Sequence, residues 1–242
     1  MRKFIAAAVI AASAATSACG KTHSEDGGPT VSRNYQVGGF DQIEVAGPYD
    51  VQVRTGANPS VSASGPQKML DHMVVEVRNG KLEIHSERQK GWFHTGWNFH
   101  GSVNLTVTVP QLHGATIAGS GDIKVDQVKG DRFEGTVAGS GGLDVATVDV
   151  QTLKLAIAGS GGTKVGGGRA QKAEFEIAGS GDIDAKGVQA QTADVSIAGS
   201  GNIAANASGT ADVSIMGSGD VQMTGGAKCN ISKAGSGNVS CS

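Results

Sequence analysis

The stretch Ala118-Gly119-Ser120-Gly121-Asp122-Ile123 decides the fold, because it recurs. Ala-Gly-Ser-Gly starts at Ala118, Ala138, Ala158, Ala178, Ala198 and Ala234, and Met216 opens a further copy with Met in place of Ala. The spacings are 20, 20, 20, 20, 18 and 18 residues. A fixed period of this size with β-type flanks predicts a solenoid in which each repeat is one coil. The residue before each copy is apolar in the first six: Ile117, Val137, Ile157, Ile177, Ile197 and Ile215. After each copy come Ile123, Leu143, Thr163, Ile183, Ile203, Val221 and Val239, then, two residues on, Val125, Val145, Val165, Ala185, Ala205, Met223 and Cys241. Apolar positions two apart share one face of a strand. Stacked at about 4.8 Å per coil, they form internal ladders, and seven coils make a prism roughly 30 Å long.

Gly-Ser-Gly reads as a corner between strands. Glycine permits positive φ or close backbone approach, and serine is small enough to stack on its own image. A nucleophile elbow or a phosphate loop would lead into a helix, whereas this motif leads into another strand seven times. The residue after each corner is Asp122, Gly142, Gly162, Asp182, Asn202, Asp220 or Asn238, so no two Asp are neighbours in this column. Adjacent carboxylates about 4.8 Å apart would repel by roughly 1 to 3 kcal/mol. Two residues later Lys124, Asp144, Lys164 and Asp184 alternate in sign, as a register-specified stack requires. Calcium-binding β-rolls carry Asp at every turn of a nine-residue repeat, which is not this pattern.

Upstream, residues 34–110 form an N-terminal β part. Ile43 and Val45, Val51 and Val53, and Val61 and Ala63 alternate with polar residues. Asn79-Gly80 between two such runs predicts a two-residue type I′ hairpin. Gln67 to Met73 can hold a short helical turn. Val103, Leu105, Val107 and Val109 form a strand ending at Pro110. Between Ile84 and Val103 lies a chemically distinct surface loop with Trp92, Phe93, His94, Trp97, Phe99 and His100. Two readings stay open: aromatic side chains presented to a glycan or protein ligand, or a lid over the open end of the solenoid. His94 and His100 have no third ligand at recognisable spacing, so no metal is expected there.

The N-terminus reads as a signal peptide over residues 1–18, with Arg2 and Lys3 before a short apolar core. Thr16-Ser17-Ala18-Cys19 resembles a bacterial lipobox, with Thr16 where Leu is usual, so Cys19 is the expected lipidation site. Residues 19–33 then serve as anchor and flexible linker. Cys229 and Cys241 remain as an even pair in an oxidising compartment and are expected to form a disulfide capping the last coil. Lys233 stands in that coil where earlier ones have Ile, so apolar packing alone cannot seal it. With 38 Gly, 5 Pro and 4% aromatics, the core must come from Ile, Val, Leu and Ala. A formal charge of −2 and no basic stripe give no attraction to nucleic acid.

Three features together resemble a known family: Phe40-Asp41-Gln42-Ile43-Glu44-Val45-Ala46-Gly47, Leu105-Thr106-Val107-Thr108-Val109-Pro110-Gln111-Leu112, and the Gly-Ser-Gly-Asp/Asn-Ile repeats. They are similar to the head GIN domain of bacterial auto-transporter adhesins, over about Asn34 to Ser242. The resemblance implies an all-β fold of two β-solenoid-like parts, the second a β-helix over 111–242, and a location in the cell envelope. It supplies no catalytic residues and no cofactor. The expected protein is a non-enzymatic lipoprotein of the outer membrane, an adhesin or binding module for glycan or protein, or a purely structural envelope component. A polysaccharide-active enzyme would need carboxylates converging with Arg or Lys, and no such cluster is visible in the sequence.

Overall fold

Each Ala-Gly-Ser-Gly lies directly over the one before it. In the computed structural model, which describes residues 27–87 and 102–242, the chain forms β1 (Thr30–Tyr35), β2 (Gln42–Ala46), β3 (Tyr49–Thr55), β4 (Ser60–Pro66), α1 (Gln67–Asp71), β5 (Met73–Arg78) and β6 (Lys81–Ser86). There follow β7 (Val103–Val109), β8 (Gly114–Gly119), β9 (Ile123–Gly139), β10 (Gly142–Gly159), β11 (Gly162–Val165) and β12 (Gly168–Gly179). The chain ends with β13 (Asp182–Gly199), β14 (Asn202–Gly217), β15 (Val221–Thr224), β16 (Lys228–Gly235) and β17 (Val239–Cys241).

A full coil has three flat runs, because the long strands bend at corners without leaving the ladder. In β10 these are 143–145, 147–150 and 152–159, which pair in parallel with the runs of β9 exactly twenty residues earlier, as Leu143 with Ile123 and Ile157 with Val137. The shorter coil of 18 residues loses its two residues on the second run, where the β13–β14 register shifts between Ala185 and Thr192. The repeats make about six turns. The expected count of about seven coils is corrected on this point: seven corners enclose six complete intervals.

The corner explains its own sequence. Gly139, Gly159, Gly179, Gly199, Gly217 and Gly235 all have φ between +130° and +139°. A Cβ there would lie 2.0–2.4 Å from the carbonyl oxygen of the glycine one coil below. That same oxygen accepts the next serine's N–H, as in Ser200 N to Gly179 O at 2.9 Å. Parallel stacking at this distance leaves no room for a side chain.

The internal column Ile117, Val137, Ile157, Ile177, Ile197 and Ile215 is at most 2% exposed. The next inward pairs trade volume from coil to coil: Phe133 with Gly135, Leu153 with Leu155, Ala173 with Phe175, and Ala193 with Val195. A Cβ on Gly135 would meet Leu143 Cδ2 at 2.5 Å and Leu155 Cδ2 at 2.9 Å, so the space beside Phe133 is already filled.

The N-terminal part continues this stack. β2 pairs in parallel with β8, and β3 with β9. Ala46-Gly47 therefore sits beneath Ala118-Gly119 as an eighth corner, with Gly47 at φ +135°. Asp50 lies under Asp122, so the corner column does contain two adjacent Asp, contrary to the reading of the repeats alone. The Asp50 carboxylate accepts the Asp122 N–H at 3.3 Å. Below β2 and β3 the parallel strands β6 and β7 follow, and the stack then turns antiparallel through β5, β4 and β1. The β5–β6 turn has Asn79 at φ 51° and Gly80 at φ 78°, the positive pair that a type I′ hairpin needs. α1 contributes Met69 and Leu70 to the core.

The linker expected to extend to residue 33 ends sooner. β1 begins at Thr30, and the carbonyls of Gly27 and Pro29 accept the Lys68 and Gln67 N–H groups. The alternation of Val31, Arg33 and Tyr35 was masked by the Gly-Gly-Pro that precedes it. At the other end Cys229 and Cys241 are joined by a disulfide with Cα atoms 6.7 Å apart. It ties β16 to β17. Lys233 points its Nζ to Gly237 O at 2.8 Å, and Ile231 is 52% exposed, so this coil is open on its outer side.

Candidate functional site

Trp92, Phe93, His94, Trp97, Phe99 and His100 lie outside the described residues, as does Cys19. The roots of the aromatic segment are placed. Glu87 donates its N–H to His72 O at 2.8 Å, and Val103 is buried and paired with Tyr49. Glu87 and Val103 thus both lie at the N-terminal end of the stack. Tyr49 is held there by its hydroxyl, 2.5 Å from Ser86 Oγ. Burial raises its pKa, an effect the Ser86 hydrogen bond partly offsets.

Along the solenoid, the outward positions of the third run form two columns. One is Glu174, Asp194, Asp212 and Asn230, and the other is Glu176, Ser196, Ser214 and Ser232. They line an open groove of about 560 Å³. Lys172 binds Glu174 at 2.7 Å and Asp194 at 2.9 Å. These two carboxylates raise the lysine's pKa, the Glu174 hydrogen bond first. Lys154 lies 3.4 Å from Glu176, and Asn230 donates to Asp212 at 2.8 Å. The groove therefore presents carboxylate and hydroxyl oxygens on a flat, exposed face, fixed by the sheet beneath.

This acidic column was missed in the sequence, although its members recur at the repeat spacing from 174 to 194 to 212. The corner acids themselves are structural: Asp122, Asp182 and Asp220 each accept the backbone N–H of the next coil, at 2.7, 3.0 and 2.8 Å. Lys124, Asp144, Lys164 and Asp184 do stack in register. Among the described residues no helix is long and apolar enough to cross a membrane.

A stack of parallel coils with corner glycines and open, ladder-lined faces defines a β-solenoid repeat protein. The chain belongs to the family described as "Putative auto-transporter adhesin, head GIN domain", whose model matches residues 39–227. Its fold is similar to that of a "putative adhesin" from Bacteroides fragilis, with a TM-score of 0.78 and 23% identity over 88% of this chain and 97% of that one. A "Putative lipid binding protein" from Parabacteroides distasonis shares it with a TM-score of 0.70 and 25% identity, over 89% and 97%. A "putative adhesin" from Parabacteroides merdae does so with a TM-score of 0.70 and 18% identity, over 90% and 98%. Comparison with curated proteins finds no match.

Proposed function

We propose that this chain is a non-enzymatic adhesin or ligand-binding module for glycan or protein, exported and held at the cell envelope by a lipid on Cys19. The observation that carries the reading is the groove along Glu174, Asp194 and Asp212. It is open, and carboxylate and hydroxyl oxygens suited to the hydroxyls of a glycan or the cations of a protein stand along a largely apolar lining. The family description supports the same reading. Trp92 and Trp97 in the aromatic segment are the residue types for a second contact region. The P. distasonis neighbour described as lipid binding raises a different ligand, but here Phe133, Leu155 and Phe175 fill the interior, so a lipid would have to lie on an outer face.

The test is a glycan and protein array probed with residues 27–242. Saturable binding that falls at least about tenfold in Trp92→Ala/Trp97→Ala, at an unchanged melting temperature, supports the module. A chain that binds nothing on either array is a structural envelope component instead.

A further inference from the structure

We propose that Glu76, Glu83 and His85 form a zinc site on the outer face of the β5–β6 hairpin. The type I′ turn fixes the pairing of the two strands, which sets Glu76 opposite Glu83 and Val74 opposite His85. Val77, Leu82 and Ile84 point to the core side, so Glu76, Glu83 and His85 emerge together on the other face. One ligand atom from each lies within 4.8 Å of the others. Their side chains are 31%, 26% and 31% exposed, which leaves them accessible yet partly shielded from water. A cleft of about 910 Å³ opens over them.

The hydrogen bonding of His85 orients its ring so that Nε2 faces the glutamates. Nδ1 lies 2.9 Å from the Ser86 carbonyl oxygen, which can only accept, so Nδ1 carries the proton. Metal-ligating histidines are oriented by this kind of bond. Nε2 then faces Glu76 Oε1 at 3.4 Å. In the neutral ring that contact sets a lone pair against a carboxylate, and a metal ion between them turns it into two bonds. Glu44 is next to Glu83 on β2 and adds negative potential, although Lys81 binds it at 2.9 Å. Arg78 reaches Glu76 at 2.7 Å and Glu83 at 3.7 Å, and with 62% exposure it can swing into solvent.

One imidazole and two carboxylates suit zinc, and three protein ligands leave a fourth position for water or an incoming group. Tetrahedral ligands about 2.1 Å from zinc are about 3.4 Å apart, so from 4.8 Å the two flexible glutamates close by up to about 1.4 Å. The site sits on the same end of the stack as the roots of the 88–101 segment, and the inference does not depend on the proposed adhesin role.

The test titrates the full chain, stripped with a chelator, with Zn²⁺ against a chromophoric competitor. One equivalent is expected to bind. Affinity should fall by about tenfold or more in both His85→Ala and Glu83→Gln. It should be unchanged in His113→Ala, whose ring pairs with Asp41. Arg78→Ala should bind more tightly, because the competing cation is gone. These side chains point outward, and circular dichroism melts of each variant check that it folds. No saturable binding, or binding that survives both His85→Ala and Glu83→Gln, would overturn the site.

Discussion

Gly199→Ala places one methyl group where the stack has no room for it. Gly199 has φ +139°, in a region that side chains rarely adopt, and strain there costs roughly 1 to 3 kcal/mol. The new Cβ would stand 2.0 Å from Gly179 O and 2.9 Å from its carbonyl carbon. The coils must part at this corner, which breaks the 2.9 Å bond from Ser200 N to Gly179 O. The half-buried Gly179 carbonyl, left without its partner, costs about 1 to 3 kcal/mol more. The total, about 2 to 6 kcal/mol, is a large share of a typical domain's stability. Urea denaturation followed by circular dichroism measures it. Coils contact only their neighbours, so a second unfolding phase would mark the stack splitting at the substituted corner. Ser200→Ala, with its exposed side chain, is the reference and should stay within about 0.5 kcal/mol of the parent. If Gly199→Ala is equally neutral, the corner is not packed as described.

Thr163 sits in the buried ladder between Leu143 and Ile183, and its Oγ1 has no hydrogen-bond partner among the described residues. Thr163→Val should therefore raise the unfolding free energy by about 1 kcal/mol, read from the urea midpoint. Replacing both Cys229 and Cys241 with Ser should cost about 2 to 3 kcal/mol and speed amide exchange in β16 and β17 before the rest of the stack. Cys19→Ser should move the protein from the membrane to the soluble fraction of cells, and mass spectrometry of the parent's N-terminus should show acyl chains. An unmodified Cys19 would end the anchoring proposal.

The repeats were legible because a fixed period converts sequence spacing directly into pairing. Ile157 meets Ile177 because they are twenty residues apart, and the corner glycines announce themselves by recurring. The same logic failed at Ala46-Gly47-Pro48-Tyr49. Pro48 and Tyr49 replace Ser and Gly, and the strands from β4 to β7 intervene before the next corner, so the period is lost. Gly121 retains the clue from the other side: a Cβ on it would meet Tyr49 O at 2.1 Å. β1 was hidden by a polar sequence that pairs antiparallel at the end of the stack, where only Val31 and Tyr35 touch the core. The Glu76, Glu83 and His85 cluster was within reach, since Asn79-Gly80 fixes every pairing of the hairpin. It needed the register to be carried outward from the turn to the polar face.

The groove along the solenoid, proposed as the binding face, is separable from the fold that carries it. Asp194→Asn/Asp212→Asn changes charge on that face without touching the core. Binding of this variant should be measured against the array ligands of the parent protein. A loss of about tenfold or more at an unchanged melting temperature is expected. Undiminished binding would place recognition elsewhere on the molecule and contradict the claim.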